Sequence, residues 1–268
     1  MRSTLFTAIL ASGFLSTTGA HAYTIDGNLS DWGITPSNFA SSTANSTTVE
    51  DQTGSGQYYL NPGYGGQAYD AEAMYLAWDS DNLYIAIITG HNPNTANTGG
   101  NYATGDIAID FGLNGTWDYG IELKGGSGLT QGHVYANTVW SYGLWTSTGS
   151  YTSNPALADP AHPTSLVSGT DVGNGTVTYT TAGVSGYGSK TTDLHYFYEI
   201  SVPLSAFGSS LDSDADFAVH WTMNCANDAI LATGTIDTVT TFSVPEPGTL
   251  ALLPLGLLGM LAFRRKSA

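Results

Sequence analysis

Four acidic side chains occur where a β-hairpin would bring them to one surface. They are Asp106, Asp110, Asp118 and Glu122. Apolar residues alternate along residues 107–121, and this pattern places Asp110 opposite Asp118 and Asp106 opposite Glu122. Like charges in facing positions are unfavourable unless water, salt or a cation lies between them. Because calcium is held by several oxygen ligands, the spacing predicts a calcium site, with an acidic face in solvent as the alternative.

A second group of side chains is suited to binding sugars outside the cell. Aromatic rings stack on the apolar faces of pyranose rings, while polar side chains hold the hydroxyl groups. Aromatic residues are densest in residues 135–151, which are otherwise rich in Gly, Ser and Thr. The candidate sugar-binding residues are Trp140, Tyr142, Trp145 and Tyr151. Exposed rings would form a platform for an extracellular polysaccharide, whereas half-buried rings would pack the edge of the fold.

The elements that position these side chains are predicted to be β-strands. Short alternating runs separated by turn residues recur, and helical periodicity is almost absent. The clearest hairpin spans residues 73–90 and turns at Ser80-Asp81. Its predicted pairs are Trp78 with Leu83, Leu76 with Ile85, and Met74 with Ile87. The fold class is therefore all-β.

Later segments extend the same pattern. Residues 196–202 and 217–223 alternate in the same way, and Pro203 ends the first of these runs. Residues 41–68 and 146–192 have little pattern, so we interpret them as long loops or irregular edge strands.

The charge balance excludes two classes of partner. The chain has a formal net charge of -16, and between residues 23 and 243 its only lysines or arginines are Lys124 and Lys190. Nucleic acid and anionic lipid headgroups would be repelled by such a surface. The single cysteine, Cys225, cannot form an internal disulfide, so packing or a metal must hold an exported domain together.

The sequence predicts a protein that is not an enzyme. It lacks a Gly-x-Ser-x-Gly elbow, a His-Glu-x-x-His pair and a glycine-rich phosphate loop. Asp110 and Asp118 are a conceivable glycosidase pair. Facing strand residues, however, lie closer together than the roughly 5 to 9 Å that glycosidases require.

The first 22 residues have the features of a secretory signal peptide. Arg2 supplies a positive start, an apolar stretch runs from Leu5 to Leu15, and Ala20-His21-Ala22 fits a cleavage site. We therefore expect residues 1–22 to be removed and residues 23–243 to form a single exported domain.

Residues 244–268 combine three features in a fixed order. The order is Pro245, Glu246 and Pro247, then an apolar run from Leu250 to Phe263, then Arg264, Arg265 and Lys266. As a helix the apolar run would be about 21 Å long, against roughly 30 Å of hydrocarbon in a bilayer. The order resembles the PEP-CTERM sorting signal, and an ordinary C-terminal anchor is the alternative.

This resemblance implies a specific route to the cell surface. A transmembrane helix would hold the protein transiently in the inner membrane of a Gram-negative bacterium. An exosortase-type membrane protease would then recognise the Pro-Glu-Pro motif and remove the tail. The remainder would pass to the outer envelope, the cell surface or the extracellular matrix.

The exported domain resembles family 9 carbohydrate-binding modules and DOMON-like domains. The resemblance rests on Ile25-Asp26-Gly27-Asn28-Leu29-Ser30-Asp31-Trp32, the motif at 76–84, the strand at 105–110, and the strand at 198–204 that contains Pro203. It implies an antiparallel two-sheet β-sandwich that binds glycans or acts in adhesion, with calcium as a possible stabilising ion.

Two other functions remain open at this point. Some DOMON-like domains carry haem in electron transfer, and the residues available as axial ligands are Met74, Met223, His195 and His220. A polysaccharide hydrolase is the third class of function. A Soret band would reveal the first, and release of reducing ends from polysaccharide would reveal the second.

Overall fold

The computed structural model describes residues 23–51, 65–126, 128–211 and 215–237. The predicted signal peptide and the whole sorting segment, including its expected transmembrane helix, lie outside the described residues. Within the described ranges, no helix has the length and apolar character needed to cross a membrane.

The described residues form eleven strands and four short 3-10 helices. The strands are β1 (Ser46–Val49), β2 (Ala71–Trp78), β3 (Asn82–Thr89), β4 (Ile107–Phe111), β5 (Tyr119–Ile121), β6 (His133–Tyr142), β7 (Pro163–Asn174), β8 (Thr176–Tyr179), β9 (Tyr196–Pro203), β10 (Ala215–Thr222) and β11 (Ala229–Ile236). The 3-10 helices are Leu29–Trp32, Gln67–Tyr69, Pro155–Leu157 and Leu204–Leu211.

The strands form two antiparallel sheets, as the alternating pattern predicts. Sheet 1 has the order β1-β2-β3-β9-β8, and sheet 2 has the order β11-β10-β4-β5-β6-β7. The main apolar cluster is built from alternate residues of β2, β3 and β9 in sheet 1 and of β4 and β10 in sheet 2. Aromatic contacts join the two sheets, with Tyr198 and Trp221 5.6 Å apart between ring centroids. The arrangement is consistent with a β-sandwich.

The predicted registers of both hairpins are confirmed. In the first, Met74, Leu76 and Trp78 pair with Ile87, Ile85 and Leu83. In the second, Ile107 pairs with Ile121 and Ile109 pairs with Tyr119. Because side chains alternate along a strand, a shift of one residue would have turned each apolar set away from the core.

Three of the four edge strands lie in the segments that showed little pattern. Strand β1 falls within residues 41–68, and β7 and β8 fall within residues 146–192, whereas β11 is the other edge of sheet 2. Pro203 ends β9, as the sequence predicts, and the 3-10 helix Leu204–Leu211 follows directly.

The N-terminal segment covers the outer face of sheet 1. Leu29, Trp32 and Phe39 are buried there against alternate residues of β2 and β3. Glu199, on β9, reaches the same layer and is fully buried. Its carboxylate accepts hydrogen bonds from Trp32 Nε1 at 2.9 Å, Gly27 N at 2.6 Å and Asp26 N at 3.1 Å. Glu199 of sheet 1 therefore anchors residues 26–32 of this segment.

The second half of β6 and the first half of β7 form an arm across the outer face of sheet 2. We define the β6–β7 arm as residues 138–142 and 163–168. Asn137 has a φ of 51°, in the left-handed region, and the pairing register shifts between Ala136 and Val139. This bend carries Trp140 and Leu166 onto Ala108, where they form a separate apolar cluster.

Candidate functional site

The four carboxylates that the sequence singled out alternate with core residues around β4 and β5, so they belong to the outer face of sheet 2, and Asp106 is bonded to Leu166 of the β6–β7 arm. A small pair, Ala108 and Gly120, lies at the centre of this outer face. A Cβ on Gly120 would come within 2.7 Å of Leu166 and 2.9 Å of Trp140, so only small residues leave room for the arm. The alternative of an acidic face in solvent is wrong for three of the four carboxylates, while Asp118 is half-buried. Asp106, Asp110 and Glu122 are each 5% exposed or less.

Asp110 and Asp118 stabilise the turn of the hairpin. Asp110 accepts hydrogen bonds from Asn114 N at 3.2 Å and Gly115 N at 2.7 Å, and Asp118 accepts one from Phe111 N at 2.9 Å. Partial burial raises the pKa of Asp118, the bond from Phe111 opposes this, and the charge of Asp110 adds to it. These contacts give both carboxylates a structural role.

Asp106 and Glu122 lie together at the opposite end of the covered face. The Asp106 carboxylate accepts hydrogen bonds from Leu123 N and Leu166 N, each at 2.8 Å, so it ties the arm to the sheet. Glu122 Oε1 accepts a bond from Gly125 N at 2.9 Å. Burial raises the pKa of both groups, and the charge of Glu122 raises that of Asp106 further. A proton shared between the two carboxyl groups relieves this repulsion.

The structure does not bring the four predicted calcium ligands together at one point. The Ala108–Gly120 pair separates them into two pairs, each bound to backbone N–H groups. Among the described residues, no group of three or more His, Cys, Asp or Glu side chains is placed to hold a metal ion. Calcium binding by this protein stays a prediction, but these residues do not form a single four-ligand site.

The Asp106–Glu122 pair predicts a pH dependence of stability. Unfolded Asp and Glu titrate near about pH 4, and both folded pKa values are raised. The native state therefore holds a proton that the unfolded state releases. Its contribution to stability is complete below about pH 4 and is lost as the pH rises through the folded pKa values.

Glu122→Gln tests this dependence, since glutamine keeps an oxygen for Gly125 N and can donate to Asp106. Free energies of unfolding from urea titrations at several pH values should fall less steeply with rising pH in the variant. Each unit of pKa shift removed corresponds to about 1.4 kcal/mol. Identical slopes in both proteins would show that this pair carries no linked proton.

The predicted aromatic platform is wrong for Trp140. This ring is only 9% exposed because the bend at Asn137 turns it inward against the sheet. Trp145 is half-buried, and its Nε1 donates to Asn227 Oδ1 at 3.0 Å. Tyr151 is 65% exposed and packs edge-on against Trp145, with ring centroids 6.2 Å apart. Tyr142 is half-buried and lines a cleft.

That cleft has a volume of about 770 Å³. One wall is the loop of residues 94–104, and the opposite wall is the β6–β7 arm with Tyr142 and Thr164–Val167. Asp106, Glu122 and Lys124 also line it. Lys124 Nζ donates to the Pro93 carbonyl and lies 5.6 Å from the centre of the Tyr179 ring.

The chemistry of the cleft is that of a polar binding site. Its walls carry amide and hydroxyl groups that can both donate and accept hydrogen bonds. They come from Asn94, Thr95, Asn97, Thr98, Asn101, Ser141, Thr164, Ser165 and Asn224. Two aromatic side chains, Tyr102 and Tyr142, lie among them. Sequence reasoning found Tyr142 but missed the loop, whose run of Asn, Thr and Gly was the available signal.

The candidate haem ligands lie in the apolar core or contact other polar side chains. Met74 and Met223 are buried in the main apolar cluster. His195 Nε2 lies 3.1 Å from Glu72 Oε1, and His220 Nε2 lies 3.2 Å from His162 Nδ1. Each histidine is thus held by a partner other than methionine.

The C-terminal end of the chain matches a known protein family. The PEP-CTERM protein-sorting motif matches residues 243–266, which include the Pro-Glu-Pro sequence and the basic cluster. The chain is therefore an exported protein that is anchored transiently in a membrane and processed by exosortase, a membrane protease. None of the curated proteins matches the chain.

Proposed function

We propose that the exported domain is a non-catalytic glycan-binding or adhesive module of the family 9 carbohydrate-binding or DOMON-like type. The sorting motif gives it an extracellular or cell-surface destination. In this proposal the protein acts at the outer envelope of a Gram-negative bacterium or in its extracellular polysaccharide. The observation that carries it is the polar cleft beside the β6–β7 arm.

The cleft has the groups that sugar binding needs. Its amides and hydroxyls can hold sugar hydroxyl groups, and Tyr102 and Tyr142 can pack against a pyranose ring. Asp106 and Glu122 give it an acidic lining, and the chain as a whole is strongly acidic. Neutral or amino sugars therefore suit the cleft better than uronic acids, which the carboxylates would repel.

The same two carboxylates argue against a hydrolase. They lie within hydrogen-bonding reach of each other, whereas glycosidase pairs are separated by roughly 5 to 9.5 Å. Both are also engaged by backbone N–H groups. This favours a binding role for the cleft over catalysis.

Tyr142→Ala should weaken glycan binding by about tenfold, the equivalent of about 1.4 kcal/mol for a lost stacking contact. The probe is a set of neutral, amino and uronic-acid polysaccharides applied to the purified protein, with affinities measured by isothermal titration calorimetry. Tyr151→Ala is the matched control, because Tyr151 is more exposed but is not part of the cleft lining.

The two variants separate the possible outcomes. Loss of affinity in Tyr142→Ala alone supports the cleft. Loss in Tyr151→Ala alone would move the glycan to the Trp145–Tyr151 pair and contradict the proposed site. Absence of binding to every polysaccharide tested would contradict the glycan-binding proposal itself.

A further inference from the structure

A second group of buried acids lies away from the cleft. Asp70, Glu72 and Asp228 are each 1% exposed. Asp70 directly precedes β2 of sheet 1, and Asp228 directly precedes β11 of sheet 2. Asp228 joins the first residues of β2 and β11. Its Oδ2 accepts a hydrogen bond from Ala71 N at 2.7 Å, and its Oδ1 accepts one from Ala229 N at 2.9 Å.

The Asp70 carboxylate is not satisfied by the protein. Neither of its oxygens has a hydrogen-bond partner, and Glu72 Oε2 is in the same state. The side chain within hydrogen-bonding reach of Asp70 is another carboxyl group, that of Asp228. A buried polar group without a partner costs about 1–3 kcal/mol, and more when it is charged. Either a shared proton or a bound cation must therefore lie between the two carboxyl groups.

The surroundings add negative charge. Glu72 and Asp51 act on Asp70, and Glu50 acts on Asp228. Burial and these neighbours raise the pKa of both aspartates. The basic side chain that contacts this region is His195, whose Nε2 lies 3.1 Å from Glu72 Oε1. Gln67 Nε2 donates a hydrogen bond to the same oxygen at 2.8 Å. One histidine does not balance five carboxyl groups.

We propose that Asp70 and Asp228 bind one divalent cation, of which calcium is the best match, between the first residues of β2 and β11. Calcium prefers carboxylate oxygens and takes about six to eight oxygen ligands, so Asp70 and Asp228 would be its side-chain ligands, and water and backbone carbonyls would complete the set. The ion replaces the proton that the pair otherwise shares. It links the two sheets in an exported domain whose single cysteine cannot form an internal disulfide.

The test is thermal unfolding of the full chain, purified in detergent, at neutral pH with millimolar calcium and with chelator. An ion bound only by the native state should raise the midpoint by about 5 °C or more. Asp228→Asn and Asp70→Asn should each abolish this shift. Asp216→Asn, the same change at an exposed residue of β10, should retain it.

Terbium luminescence measures binding directly, so a destabilised variant still gives an answer. Terbium bound by the native protein and displaced by calcium supports the proposal if Asp228→Asn removes the signal. An unchanged midpoint in calcium together with no terbium signal would show that the pair holds only a proton. A calcium shift that persists in Asp228→Asn but disappears in Glu122→Gln would place the ion at the cleft and overturn the proposal.

Discussion

Glu199→Ala should lower the free energy of unfolding by about 3–5 kcal/mol. The Glu199 carboxylate accepts hydrogen bonds from Trp32, Gly27 and Asp26. Alanine would remove this acceptor from all three donors, of which Asp26 N alone has a second acceptor, the Thr24 carbonyl. Two of them, Trp32 Nε1 and Gly27 N, are in buried contacts, where water cannot easily replace the carboxylate. Urea denaturation of the two proteins at neutral pH measures the difference.

Glu199→Gln is the control for the size and charge of the side chain. Glutamine keeps one acceptor oxygen, so its free energy of unfolding should fall less than that of Glu199→Ala. Some loss remains, because the NH₂ group of glutamine must face an N–H donor. A free energy of unfolding in Glu199→Ala within about 0.5 kcal/mol of the wild-type value would contradict the anchoring role.

Gly105→Ala should be comparably destabilising, by about 3 kcal/mol, because its added methyl group has no space. An ideal Cβ there would lie 2.2 Å from Thr164 O and 2.3 Å from Thr222 O. Both atoms are backbone carbonyls, and they accept hydrogen bonds from Asp106 N and Gly105 N respectively. The methyl group must separate the β6–β7 arm from β10. The midpoint of urea unfolding should fall, and the cleft should lose affinity for its ligand.

Gly126→Ala is the matched change, at a glycine that lines the cleft. A Cβ at Gly126 meets no atom within 4 Å. Its free energy of unfolding should stay within about 0.5 kcal/mol of wild type. Equal losses in the two variants would show that the effect comes from replacing any glycine there, and not from the docking of the arm.

The alternation of apolar residues predicted the hairpin registers because it acts locally. Leu76 must face the core with Ile85, and Ile107 with Ile121, or the apolar side chains of both strands would meet water. The same rule placed Asp106 opposite Glu122. The two-residue period of the apolar side chains and the position of the turn therefore suffice to predict the registers of both hairpins.

The β6–β7 arm could not be predicted in that way. A strand that bends at Asn137 and crosses its own sheet depends on packing between distant residues, namely Trp140 and Leu166 against Ala108 and Gly120. The small residues between the acidic pairs were a signal for such a cover. Because the sequence pattern did not reveal the arm, however, the four carboxylates indicated a solvated or metal-binding surface.

The Asp70–Asp228 pair was missed for a similar reason. Its two members are far apart in the sequence and belong to different sheets, so no spacing rule relates them. The local signal was Asp70-Ala71-Glu72, two acids at alternate positions where a buried strand begins. Acids at such positions are buried only with a partner, and that partner lay beyond any local window.

Strand β11 gives the sandwich a polarity. Ala229, at its beginning, pairs with Thr222, beside Asn224 of the cleft, whereas Ile236, at its end, pairs with Ala215. Eight residues of strand, roughly 25 Å, therefore separate the cleft from the point where the chain continues toward the sorting motif. The residues that line the cleft all lie between Asn94 and Asn224, so removal of residues 243–266 with the sorting motif would take away none of them.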